Sequence, residues 1–237
     1  MQFHALLEEW PGESIAFFRE LPGCFSSAPT TDAALQAAPA VIEAYFSWLK
    51  ENNIVLVEEE ITPIEVVLSE RLSSNGHAGP LFQADLAAPD DLEIDNALNV
   101  AATARAQIIE MVANVPEQFY NLAPAPASWS LLQHLQHIME SENFYVSRLE
   151  SQPAPEQPTP AMTADEISMK IFENAMDSEL LLRDLSPEQR TQVFTHNGEA
   201  WTAAKVLRRM AQHLREHHPW MLAMAEQFAA SSRTPRN

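Results

Sequence analysis

The sequence predicts an α+β N-terminal domain, a small antiparallel sheet plus a helix, followed by an all-α up-and-down four-helix bundle. Three observations carry this expectation. The first 62 residues hold short apolar runs broken by turn residues and one long stretch of helical spacing. Residues 63–94 shift to Ser, Gly, Pro and Asp, in SSNGHAGP and AAPDD, which are linker and turn chemistry. From Asp95 onward four segments repeat apolar residues at the 3.6-residue period. The expected division is therefore 1–62, a linker over 63–94, and a bundle over 95–232.

Taken in order, FHALLEEW reads as a strand, Pro11-Gly12-Glu13 as a turn, and SIAFFREL as a second strand that pairs with the first as a hairpin. Thr31 or Asp32 can cap a helix in which Ala34, Ala38, Ile42, Tyr45 and Leu49 share one face. Pro39 lies inside that pattern and is expected to kink the helix or delay its start. IVLVEEEI, from Ile54, reads as a third strand.

In the second half, the first helix spans 95–115 with Leu98, Ala102, Ile109 and Val112 as its apolar stripe. Arg105 falls near that stripe and is expected to pack its stem along the core edge with its head in water. Ser128 or Ser130 caps a second helix over 130–150, and SQPAPEQPTPAMT is a Pro-rich crossing loop. Thr163 caps a third helix, with Asp165 and Glu166 in its first turn where the dipole favours acid. Thr202 caps the fourth, over 203–228, and the tail SSRTPRN reads as disordered.

Composition narrows the function classes. Formal net charge is −19, from 33 acidic against 14 basic residues. That disfavours nucleic acid or an anionic membrane as a direct partner, because phosphate binding needs a basic surface. It allows a basic protein partner. The single cysteine, Cys24, cannot close an intrachain disulfide and reads as a small buried hydrophobe. With neither a basic-then-apolar leader pattern nor an apolar run near ~20 residues, the expected compartment is the cytoplasm. A homodimer is a possible assembly, since bundles of this kind often dimerise, but no exposed apolar stripe proves it.

The chemistry concentrates in AQHLREHHPW. His213 and His217 lie one helical turn apart on the core-facing shoulder of the last helix, so two imidazoles can point at one ion. His218 is turned about 100° away and is excluded in a straight helix. Pro219 is expected to bend the last turn. The second helix offers two further histidines. His134 lies about 60° from the centre of its apolar stripe and His137 about 120°, so periodicity favours His134 as the more buried. Three imidazoles leave coordination positions open for water or substrate, and zinc, nickel, iron or manganese could be the divalent ion. Glu140, Glu142 or Glu216 could orient a ligand or accept a proton. His4 and His196 read as hydrogen-bonded or exposed, and His77 as exposed.

Two resemblances add to this. The hairpin, the turn Leu21-Pro22-Gly23-Cys24-Phe25 and the Thr-capped helix make residues 1–62 similar to a HicB-like antitoxin domain. That resemblance implies a basic ribonuclease partner, which suits two basic against ten acidic residues over this segment. Trp129-Ser130, His137-Ile138, Ser141-Glu142, and then Glu199-Ala200-Trp201-Thr202 ahead of His213 and His217, make residues 95–228 resemble the DinB/YfiT-like four-helix bundle family. The family resemblance implies a divalent metal held by His137, His213 and His217. Members often continue past the last histidine with a glycine-containing helical run, where this chain has His218-Pro219. The activity implied is a metal-dependent hydrolase or a thiol-dependent transferase acting on an unidentified small molecule. The alternative is a non-enzymatic interaction or antitoxin-like module with the bundle as scaffold.

Overall fold

The computed structural model describes residues 1–56, 63–74, 79–125, 128–152 and 160–233 of the 237-residue chain. Strands β1 (Gln2–Trp10) and β2 (Glu13–Phe18) form the expected hairpin, with Ala5 opposite Phe18 and Trp10 opposite Glu13. A third strand, β3 (Phe25–Ala28), pairs antiparallel with β2. Helix α1 (Thr31–Glu51) follows, capped by Thr30 one residue ahead of the expected position, and it continues through Pro39. Its buried residues are Ala34, Ala38, Ile42, Tyr45 and Leu49, the face the periodicity gives.

The fourth strand corrects two expectations. Ile54–Leu56 is not in a strand, and 57–61 lies outside the described residues, as does His77. The strand is instead β4 (Glu65–Ser73), inside the stretch read as a linker, and it joins β1 in parallel. The sheet order β3-β2-β1-β4 is therefore mixed rather than wholly antiparallel. The parallel pair is made possible by α1, which supplies the long crossover that such a pair needs. Strand β4 escaped the sequence reading because EVVLSERLS is an edge strand with charged side chains, one of which, Arg71, forks onto Glu9 of β1.

Four long helices make the bundle: α2 (Asp91–Ala113), α3 (Leu131–Ser147), α4 (Ala164–Arg183) and α6 (Ala203–Arg233). Between the last two lie a short helix, α5 (Pro187–Thr191), and the ribbon β5 (Phe194–His196) and β6 (Glu199–Trp201). Helices α2, α3 and α4 start at capping boxes on Asp90, Ser130 and Thr163, and Thr202 Oγ1 accepts from Lys205 N at the start of α6. Helix α6 runs through Pro219 as one element to Arg233, so its last turns reach into the expected tail. Among the described residues no helix is long and apolar enough to cross a membrane.

The bundle is present, but consecutive helices are not all neighbours. Helix α2 packs against α6 and α4, and α3 packs against α4 and α6, so α2 and α3 face each other diagonally. The starts of α3 and α4 share one end of the core (Leu131, Leu135, Ala164, Ile167) and their ends share the other (Tyr145, Leu149, Leu182, Leu185). They therefore run parallel, which departs from a simple up-and-down order.

The sheet-bearing part is packed onto the bundle. Val100 of α2 and Ala211 of α6 belong to the same buried cluster as Phe3, Leu7, Phe18, Ile42 and Tyr45. Gly23 permits the close approach. Its φ of +76° lies in the left-handed region, and a Cβ there would meet Val100 Cγ1 at 2.8 Å and the Ala211 carbonyl at 3.2 Å.

Candidate metal centre

Helices α3 and α6 pack side by side and run in opposite directions, which sets His134 beside His217 and His137 beside His213. His213 Nε2 lies 3.0 Å from His137 Nε2 and 3.1 Å from His217 Nε2. One ring nitrogen from each of His137, His213 and His217 falls within 4.8 Å of the others, and among the described residues this is the one such cluster of metal-ligating side chains. Ring nitrogens about 2.1 Å from a shared ion stand about 3.0 Å apart when they subtend a right angle, so the His213–His137 and His213–His217 separations each fit neighbouring ligands of one ion.

The electrostatics fit the same use. Burial holds His213 well below the ordinary imidazole range, and the neighbouring His217 and His137 lower it further. Burial, then His137 and His134, brings His217 down to about 3. Burial also lowers His137 and His134. All four rings are therefore neutral near pH 7, the form in which an imidazole nitrogen donates to a metal.

His134 resolves the conflict between periodicity and resemblance. It is the more buried of the two α3 histidines, as the periodicity requires. Yet its Nδ1 meets His217 Nδ1 at 2.9 Å and stands behind the cluster. A partner there fixes the His217 ring so that Nε2 points at the other two histidines. His137 is half-buried and has Ser141 Oγ 3.5 Å from its Nδ1. His213 Nδ1 is buried without a hydrogen-bond partner.

The cluster forms one wall of an open pocket of about 630 Å³ that Trp129, Glu216, Trp220 and Met224 also line. Trp129 packs edge-on to His137 at 4.7 Å between centroids, and Trp220 edge-on to His217 at 5.4 Å. Both indoles are about half exposed at the mouth. Trp201, by contrast, is fully buried and packs against Phe144 and Tyr145.

Of the three candidate carboxylates, only Glu216 lines the pocket. Glu140 is exposed and accepts from Gln136. Glu142 is 1% exposed and bound by Arg105, whose Nη2 donates to Oε1 at 2.5 Å and whose Nε lies 3.2 Å from it. Arg105 thus departs from the expected snorkelling cation: its head is buried in an ion pair across the bundle diagonal. Burial raises the Glu216 carboxyl, Arg209 opposes that, and Gln212 Nε2 donates to Oε2. Ser141 entered the sequence reading only as part of the Ser141-Glu142 motif and Trp220 escaped it, although each stands about one turn beyond a cluster histidine on its own helix. His218 stays out of the cluster, His4 bonds Glu20, and His196 Nε2 meets the Arg148 carbonyl at 3.0 Å.

Residues 101–221, more than half of the chain, match the model of the DinB superfamily. The chain belongs to the DinB superfamily. The matched span holds His137, His213 and His217, and it leaves residues 1–62, with their HicB-like resemblance, outside. Two solved structures are similar to this DinB-superfamily chain. One is the DinB-like protein YjoA from Bacillus subtilis, 14% identical, covering 60% of this chain and 95% of its own, with a TM-score of 0.48. The other is YfiT from Bacillus subtilis, 17% identical, covering 61% of this chain and 90% of its own, also with a TM-score of 0.48. YfiT is described as a probable metal-dependent hydrolase with an unusual four-helix bundle topology. No curated protein sequence matches the chain.

Proposed function

We propose that this protein is a metal-dependent hydrolase of a small molecule, with a divalent ion held by His137, His213 and His217. The observation that carries the reading is the convergence of three neutral imidazole nitrogens on the wall of an open pocket. A divalent ion in that position supplies Lewis acidity to a carbonyl or phosphoryl oxygen. His134 holds the His217 ring through Nδ1, and Ser141 stands behind His137. Glu216 presents its carboxylate to the pocket, with Oε2 engaged by Gln212 and Oε1 free to accept a proton from water or substrate. Trp129, Trp220 and Met224 give the mouth an apolar wall that excludes water around a seated substrate.

The pocket lining favours hydrolysis over thiol transfer. Among the described residues no lysine or arginine lines it, whereas an anionic thiol cosubstrate needs a cation for its carboxylates. The test is turnover of chromogenic p-nitrophenyl esters and phosphoesters by metal-stripped protein, before and after addition of zinc, nickel or manganese. The proposal expects metal-dependent hydrolysis that His213→Ala abolishes. Metal-dependent conjugation of a thiol to an electrophile, without hydrolysis, would favour the transferase reading instead. The non-enzymatic alternative draws its support from the acidic balance of residues 1–62. Capture of a small basic ribonuclease by the full chain, with no bound metal, would favour it.

A further inference from the structure

A cavity of about 170 Å³ lies where the sheet meets the bundle, among the end of β2, the first turns of α2 and the start of α6. An adjoining lobe of about 590 Å³ shares Leu6, Arg19, Glu20 and Glu93 with it. Neither shares a residue with the histidine pocket, so the chemistry proposed there does not use them. Small ligands seat at junctions of this kind, on a mostly apolar wall with a few placed polar groups. Here the apolar wall is made by buried Leu6, Phe18, Ala97 and Leu207. Several charges beside it are already answered within the chain. Arg208 forks onto Asp85, and Glu20 accepts from the His4 N–H and meets its ring. Three polar side chains on the wall are left over. Arg19 and Asn96 have no side-chain hydrogen bond or ion pair among the described residues. Glu93 accepts the Asp90 N–H at Oε2 and keeps Oε1 open.

We propose that this cavity binds a small zwitterion, an α-amino acid with an apolar side chain. The leftover charges choose the ligand. Arg19 and Glu93 line the same cavity, yet they form no ion pair with each other or with another described residue. A ligand that answers both carries an anion and a cation close together. A guanidinium matches a carboxylate through two parallel N–H donors, which assigns the ligand's carboxylate to Arg19. The ammonium then goes to Glu93 Oε1. Asn96, one turn beyond Glu93 on α2, offers an amide that can accept from the ammonium or donate to the carboxylate. The side chain covers the apolar wall. The size fits as well, because 170 Å³ is the liquid share of about six waters and lies below the range of drug-sized ligands. A ligand with a carboxylate alone leaves Glu93 unanswered, in a chain whose net charge of −19 repels anions. An amine alone leaves Arg19 unanswered. Arg19 belongs to the sheet-bearing part, and Glu93 and Asn96 to the bundle, so the bound amino acid clasps the two parts together.

The full-length chain is titrated calorimetrically with L-leucine, L-methionine and L-phenylalanine, and its melting temperature is followed in parallel. At least one of the three is expected to bind once per chain and to raise the melting temperature. Two analogues of the tightest binder then test each charge. The amino acid amide lacks the carboxylate and the deaminated acid lacks the ammonium, and each is expected to bind at least about tenfold more weakly. Arg19→Gln and Glu93→Gln are expected to weaken binding by a similar factor, with the zinc content and the melting temperature of the unliganded protein unchanged. Glutamine at position 93 keeps the capping box on Asp90, so this variant removes the charge and spares the helix start. No binding by any of the three amino acids overturns the proposal. So does an amide or a deaminated acid that binds as tightly as its parent, or wild-type affinity in either variant.

Discussion

Helix α6 presents two adjoining faces to the rest of the molecule, and they handle buried polar groups in different ways. The face toward α3 carries His213 and His217, with no carboxylate bonded to either ring. Burial first, and then the neighbouring histidines, keep these imidazoles neutral and their ring nitrogens available. The face toward the sheet carries four of the chain's 14 basic residues, each matched to a partner. Lys205 Nζ donates to the carbonyls of Gly79 and Ala200 at 2.8 and 3.0 Å and lies over the Trp201 ring. Arg208 forks onto Asp85 and packs over Phe17 and Phe82. Arg209 faces Glu8 at 3.5 Å, and Arg215 lies over Trp48 at 3.9 Å. The contrast teaches that one seam pairs its charges within the chain, although Glu8 and Arg209 keep buried polar atoms without hydrogen bonds, while the other gathers donor atoms that an ion would complete.

The largest expected effect breaks the charge-paired seam and leaves the other intact. Asp85 is nearly buried and accepts both the Arg208 fork and the Phe82 N–H. Asp85→Asn leaves a buried guanidinium without its counter-charge, which costs about 3–5 kcal/mol in chemical denaturation. Its metal content should equal that of the wild type. An unchanged unfolding midpoint would mean that this seam does not hold the two parts together.

Next comes the stabilisation that metal gives. An ion bound only by the folded state, at about a hundred times its dissociation constant, adds about 2.7 kcal/mol. Stripped wild-type protein should therefore melt at a higher temperature when zinc, nickel or manganese is added, and His213→Ala should show no such rise. A rise of equal size in the variant would place the ion elsewhere.

His134→Ala is a smaller perturbation. The ring stands behind His217 rather than in the cluster, so the loss should weaken metal affinity about 10–100-fold with the stoichiometry retained. Isothermal titration separates the two outcomes. Complete loss of binding would make His134 a direct ligand.

The smallest effect is a pH dependence in the basic seam. Burial, helped by the neighbouring Arg208 and Arg209, lowers the Lys205 ammonium to about 8, against an ordinary value of 10.5. Between those values the unfolded chain binds more protons than the folded one, so this residue adds stability as pH rises through the window. The wild type should gain on Lys205→Met in urea midpoint from pH 8 to pH 10.5. A difference that is flat with pH would show that the ammonium is not desolvated in the folded protein.

The sequence was most legible where the signal is local. Ser130, Thr163 and Thr202 cap the helices they were expected to cap, because an N-cap needs only its own first turn. His213 and His217 could be paired for the same reason: their four-residue spacing is a property of one helix. What needed two elements at once was harder. Strand β4 pairs with β1 across more than 60 residues and shows its partner mostly polar side chains, so no period announced it. The Arg105–Glu142 pair joins diagonal helices, and a lone charge near an apolar stripe reads as a surface group until its mate is known. His137 was reached through family resemblance alone. Periodicity measures burial, and burial belongs to His134, whereas the donor atom that meets His213 belongs to the less buried ring.

The most direct test of the metal centre is the ion stoichiometry of stripped protein reloaded with zinc, measured by elemental analysis for the wild type, His134→Ala and His137→Ala in parallel. The expected result is one ion per chain in the wild type, one in His134→Ala at saturating zinc, and none in His137→Ala. Equal zinc in the wild type and His137→Ala would contradict the assignment.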